Sequence, residues 1–262
     1  MTKTTKIIIT MALGIFLCLL DTTVMNIALP AIQTGLSTNL TQLSWALNSY
    51  TILFASLTIP LGRVADLIGR TKIYVLGLSL FLVGSLSSGL AGSVDWLIFG
   101  RSIQSIGAAI VFPASMTIGI QAVPLAKRTT AIAMLGVTQG LASAMGPTIG
   151  GAVTQWFGWR GIFLINVPLV VIALISCVWL LDWHDRRPDQ LRLDWLGSGL
   201  SMVTLGSLTL ALVKGSDWGW TSELILGLLG LSLLALIGFI VTEARVSQPM
   251  MPLALFKARQ FN

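Results

Sequence analysis

The run "IIITMALGIFLCLLDTTVMNIAL", Ile7 to Leu29, decides how this chain is read. A bilayer core takes about 20 apolar residues as a helix, and the run is long enough to cross it. One residue does not belong in lipid: Asp21 is a carboxylate deep in the apolar stretch. Insertion scales charge about 2.5–3.5 kcal/mol for an acid at the centre of a membrane helix, so Asp21 is expected to face a water-filled cavity or a partner. Lys3 and Lys6 give the run the flank of a signal peptide, but no small-residue cleavage site follows and further apolar spans do. It reads as a retained first transmembrane helix.

The rest of the sequence agrees. Hydrophobic residues make up 55% of the 262 and charged residues only 10%, against roughly 25% charged in soluble domains. That deficit points to an all-α polytopic membrane protein. The net charge of +6 does not mark a nucleic-acid partner, because the basic residues fall between apolar spans and form no patch. The partner they imply is the lipid bilayer. Eight segments have span length: 7–29, 45–61, 73–91, 97–123, 130–154, 161–181, 195–213 and 223–242. Thirteen of the 16 Lys and Arg, from Lys3 and Lys6 to Arg259, fall in one set of loops. Arg160 and Lys214 fall in the other set, and Arg101 lies within a span. This asymmetry predicts a multi-pass protein of the cell (cytoplasmic) membrane with its N-terminus in the cytoplasm. All nine tryptophans sit near predicted span ends, where membrane anchoring is the simplest account.

Cys18 and Cys177 lie inside spans, so no disulfide is inferred, and the single His184 makes no metal site. The charged stretch "DWHDRRPDQLRLDW", Asp182 to Trp195, divides the chain. The expected organisation is a six-helix bundle over 1–181 and a cytoplasmic linker over 182–194. Two further helices cover 195–242, and 243–262 forms a cytoplasmic approach to a next span.

Several stretches carry a family resemblance. "GRVADLIGRTK", Gly62 to Lys72, resembles the signature loop of the major facilitator superfamily at Gly62, Ala65, Asp66, Gly69 and Arg70, with Val64 and Thr71 departing from it. "LDTTVMNIALP", Leu20 to Pro30, is similar to the first-span motif of the drug:proton antiporter branches. "RSIQSIGAA", Arg101 to Ala109, resembles their fourth-span motif, with Ser105 in place of a glycine. "GPTIGG", Gly146 to Gly151, resembles their fifth-span motif, and "WRGIFLINVP", Trp159 to Pro168, the opening of span six in the fourteen-span branch. The resemblance implies a bundle of two inverted three-helix repeats plus two additional transmembrane helices. It implies a substrate or proton site at Asp21, Arg101, Asn26 and Gln104. Gly62, Asp66, Gly69 and Arg70 become a cytoplasmic gating loop, and Gly146, Pro147, Gly150 and Gly151 a helix-packing motif that couples transport and prevents leak.

Depth arithmetic bears on the first group. Asp21 lies about 14 residues into its helix, about 21 Å at 1.5 Å per residue. Arg101 lies about 8 Å into span four from the opposite face. The two are therefore expected to face each other or to share a water network. Whether Asp21 would carry the proton or attract a cation stays open at this stage. Span five also repeats small residues at Gly136, Gly140 and Ala144 and at Gly146 and Gly150, a spacing that lets helices approach closely.

The function implied is that of the N-terminal portion of a proton-coupled multidrug efflux antiporter. It would export small lipophilic or cationic compounds by alternating access, use the proton gradient and no cofactor, and work with a missing C-terminal six-helix half. The alternatives are export of an endogenous metabolite or lipid, and an accessory membrane fragment without transport alone. An enzyme is not expected, because no nucleophile–base pair, histidine cluster or carboxylate cluster shares a predicted face.

Overall fold

A computed structural model describes residues 2–183, 194–246 and 249. The charged loop with His184 and the segment from Ser247 onward, apart from Pro249, lie outside the described residues. The described residues form helices and turns with no strand. The helices are α1 (Lys3–Gly35), α2 (Leu40–Ile68), α3 (Arg70–Gly89), α4 (Val94–Gln121), α5 (Arg128–Phe157), α6 (Gly161–Leu164), α7 (Asn166–Leu180), α8 (Trp195–Trp218) and α9 (Glu223–Arg245). Helices α6 and α7 are one span interrupted at Ile165.

Local chemistry sets most helix starts. Thr2, Asn39, Ser93, Asp194 and Ser222 each accept a backbone N–H three residues on and cap α1, α2, α4, α8 and α9, each filling one orphan donor of the first turn. Only Gly69 separates α2 from α3, at φ +116°, a conformation that a side chain disfavours. The stretch from Gly62 to Lys72, expected as a loop, is therefore two helix ends around one glycine. Gly62 lies inside α2, where an added Cβ would meet nothing within 4 Å.

Seven segments are long and apolar enough to cross a membrane. The sequence predicts eight; the difference is α5, whose 30 residues are diluted by Gly, Ser, Thr and Gln. That composition serves packing. An added Cβ at Gly146 would lie 1.9 Å from Thr23 Oγ1, and one at Gly150 would lie 3.1 Å from Val24 Cα. Helix α5 thus rests directly on the part of α1 that carries Asp21. Gly136, Gly140 and Gly151, by contrast, meet nothing within 4 Å.

The packing repeats with inverted roles: α1 lies along α5 as α4 lies along α2, and α7 contacts α1 as α3 contacts α4. Helices α1 and α4 meet at the centre, the arrangement of two inverted three-helix repeats. Helices α3 and α4 come together nearly backbone to backbone. A Cβ at Gly84 would lie 2.3 Å from the Gln104 nitrogen, and one at Gly107 would lie 2.4 Å from the Phe81 nitrogen.

Helices α8 and α9 pack on each other, and α8 packs on α2. Lys214, expected in a loop, lies within α8 and is buried against α2. Its Nζ donates to Asp217 Oδ2 at 2.8 Å and Ser44 Oγ at 3.3 Å and stands 5.0 Å from the Trp45 ring centre. Trp159, expected as an interfacial anchor, is buried beside the Phe163 ring. A Cβ at Gly35 would lie 2.3 Å from its Nε1.

Candidate functional site: a buried ion pair where α1 crosses α4

Asp21 sits where two apolar clusters of the core adjoin. Cys18, Tyr74 and Phe81 belong to one; Leu20, Leu97 and Phe163 belong to the other. Arg101 reaches the same level from α4 and is the largest fully buried side chain among the described residues. Its Nη1 donates to Asp21 Oδ2 and, at 2.8 Å, to Gln104 Oε1. Gln104 Nε2 donates to Asp21 Oδ1 at 2.8 Å. The side chains of the ion pair are 0% and 1% exposed.

The spacing on α4 explains the trio. Arg101 and Gln104 are three residues apart and share one helix face, and Gly84 of α3 lets that face be pressed inward. The Arg101 guanidinium carbon lies 4.1 Å from the centre of the Tyr50 ring on α2, a cation–π distance. Tyr50 is fixed in turn: Ser105 Oγ donates to its carbonyl at 2.6 Å. The serine that departs from the fourth-span motif thereby joins α4 to α2.

The interrupted span supplies the last donor. Pro168 cannot donate to the carbonyl four residues back, and the helix breaks just before Asn166. Asn166 Nδ2 donates to Asp21 Oδ1 and to Ser85 Oγ, each at 3.0 Å, and Ser85 Oγ donates to the Phe163 carbonyl at 2.8 Å. Asp21 therefore accepts from a guanidinium and two amides contributed by α4 and α7. Removing either charge would leave the other buried and uncompensated, at a cost of about 3–5 kcal/mol. The surroundings of the carboxylate are side chains of the bundle, where the sequence left open a wet cavity.

Three of the four residues expected at this site come together. Asn26 does not: it is exposed and donates to the Thr22 carbonyl at 3.2 Å. Asn166, Ser85 and Tyr50 were missed. Asn166 had a signal in sequence, as a polar residue two places before a proline within an apolar span; Ser85 and Tyr50 had none.

The other two groups lie apart. Asp66 and Arg70 pair at 2.7 Å across the α2–α3 break, both partly exposed. With Gly62, Ala65, Pro113 and Thr117 they line a cavity of about 140 Å³ between α2 and α4. In the fifth-span motif, Gly146 and Gly150 face α1, while Pro147 is exposed and a Cβ on Gly151 would meet nothing within 4 Å. That motif is thus shared between two surfaces.

Residues 11–256 match the family model described as Major Facilitator Superfamily. The chain is 38% identical over 260 residues to the methylenomycin A resistance protein of Bacillus subtilis (strain 168), covering 98% of this chain and 55% of that protein. It is 33% identical over 255 residues to the multidrug export protein EmrB of Escherichia coli (strain K12), covering 97% of this chain and 50% of that one. The chain spans about half the length of the curated relatives it matches. Among solved structures, a bacterial homolog of the human lysosomal transporter Spinster, inward-facing and unoccupied, superposes with a TM-score of 0.60. That match has 20% identity and covers 92% of this chain and 60% of the other. A peptide transporter of the POT type gives 0.66 at 17% identity, covering 92% and 52%.

Proposed function

The chain belongs to the major facilitator superfamily, and from that premise we propose that it is the N-terminal half of a proton-coupled exporter of lipophilic or cationic compounds. The family is one of transporters and not of enzymes. In this reading the chain lies in the cell membrane with its N-terminus in the cytoplasm. It rocks against a second six-helix half, and a proton moving down its gradient drives export. The observation that carries the reading is the buried Asp21–Arg101 pair at the crossing of α1 and α4. Acids within membrane helices mark ion and proton pathways. The names of relatives, multidrug export for EmrB and methylenomycin A resistance for the Bacillus subtilis protein, support a drug-like cargo.

Asp66 and Arg70 then lie at the cytoplasmic end and form one side of a gate. Gly146 and Gly150 hold α5 against α1, and the open α5 face with Pro147 and Gly151 meets the second half. The domain limits at 182–194 and 243 belong to this reading.

The test is dye extrusion by an efflux-deficient bacterium. The chain is produced alone and together with the C-terminal half of the Bacillus subtilis relative. Extrusion that a protonophore abolishes supports the reading. Its absence in both arms refutes it. Resistance to methylenomycin A without dye extrusion would instead identify an exporter of narrow range, as the name of that relative favours.

A further inference from the structure

We propose that Asn166 is a two-way partner of Asp21, with an amide that gives an N–H to the ionised carboxylate and turns to give its carbonyl to the protonated acid. The proposal rests on the reading that Asp21 exchanges a proton.

Oδ1 of Asp21 accepts from Gln104 Nε2 and Asn166 Nδ2, and Oδ2 accepts from Arg101 Nη1. Three donors and no acceptor suit a carboxylate. When one proton from water adds to Oδ1, the acid acquires an O–H that needs an acceptor.

Two side-chain carbonyls are near. Gln104 Oε1 already accepts from Arg101 Nη1, and turning that amide would set its N–H groups against a guanidinium. Asn166 Oδ1 is buried and has no hydrogen-bond partner among the described residues. Its Nδ2 meanwhile uses both hydrogens, on Asp21 and on Ser85 Oγ. A half-turn about the last side-chain bond, a broad two-fold torsion, exchanges the two atoms. Oδ1 then faces the new O–H, and the Ser85 hydroxyl redirects from the Phe163 carbonyl to Oδ1. The amide makes two hydrogen bonds in either orientation; the turn exchanges an unpartnered Oδ1 for an unpartnered Nδ2 and takes the Ser85 donor from the Phe163 carbonyl. Asn166 also stands at the break between α6 and α7, so a change at Asp21 is delivered to the interrupted span.

Few other groups can answer the proton. The titratable and charged neighbours are Arg101 on α4, Tyr50 on α2, whose Oη donates to the Cys18 carbonyl at 3.5 Å, and the Cys18 thiol on α1 itself. At this level α3 brings Ser85, and α5 carries no titratable side chain after Arg128. On α7 the only one is Cys177, eleven residues past Asn166.

The experiment is nuclear magnetic resonance of the full chain in lipid nanodiscs. Asp Cγ and the Asn side-chain amide are isotope-labelled and followed between about pH 2 and pH 9, a range that lies on both sides of ordinary carboxyl titration. Asp21→Asn and Asn166→Leu assign the signals. The expected result is a step of Asp21 Cγ accompanied at the same midpoint by a step of the Asn166 amide, with the amide step lost in Asp21→Asn. An Asn166 amide that stays constant through the Asp21 step overturns the proposal, as does an Asp21 signal that never steps. A purely structural Asn166 gives the first of these results. Should either variant not fold, Asp21→Glu and Asn166→Gln assign the same two signals, so that the wild-type titration still decides. Failure of dye extrusion leaves the titration intact, and a static amide in a chain that extrudes dye removes only this proposal.

Discussion

Replacing Asp21 by Asn changes little in volume and removes one charge. The structure makes the consequence large, because the Arg101 side chain is fully buried and its counter-ion is 1% exposed. Arg101 would keep Gln104 Oε1 and the Tyr50 ring, but its charge would be uncompensated. The expected destabilisation is about 3 kcal/mol, the lower end for breaking a buried pair, or roughly a hundredfold in the folding equilibrium. Arg101→Met should cost about as much, since it strands the carboxylate. The double variant removes both charges and loses chiefly the hydrogen bonds and the cation–π contact, so about 2 kcal/mol is expected. The singles then sum to about 6 kcal/mol and the coupling is about 4 kcal/mol. Unfolding in mixed micelles, followed by the fluorescence of the nine tryptophans, measures all four corners of the cycle. Additive effects, with coupling under about 0.5 kcal/mol, would show that the two side chains do not depend on each other and would refute the reasoning.

Other outcomes follow from the same geometry. Gly146→Ala should destabilise the bundle by about 1–3 kcal/mol through overpacking against Thr23, whereas Gly151→Ala should leave mixed-micelle stability unchanged. Gly84→Ala should cost at least as much as Gly146→Ala, because its Cβ meets the backbone of Gln104, which cannot rotate away; thermal unfolding of the purified chain reads this. Asp66→Asn should cost less than about 1 kcal/mol in stability, since its partner is partly exposed. In the two-half extrusion assay it should reduce transport.

The architecture was legible because it is written in composition. Span length, loop charge and ordered motifs located eight helical segments, and the structure moves their ends by a few residues, up to seven at the end of α2. Depth arithmetic set Asp21 and Arg101 at similar levels, because rise per residue converts position into height. What it does not convert is direction around the helix axis. Asn26 lies five residues from Asp21 and so points to another face, and Lys214 turns inward although it looked like a loop residue. The close crossing of α3 and α4 was invisible for a similar reason. Gly84 and Gly107 are ordinary membrane-helix glycines until their partners, Gln104 and Phe81, are known. Asn166 was within a quoted motif, yet its role depends on Ser85 and Asp21, 81 and 145 residues away.

The central claim is that the Asp21–Arg101 site converts a proton gradient into export. Its most direct test uses inside-out vesicles containing this chain and the C-terminal half of the Bacillus subtilis relative, and it measures accumulation of a cationic dye after an imposed pH gradient. The account predicts accumulation that requires the gradient and disappears in Asp21→Asn when the variant is present at equal amount. Accumulation in Asp21→Asn that still follows the gradient at the unmodified rate would contradict it.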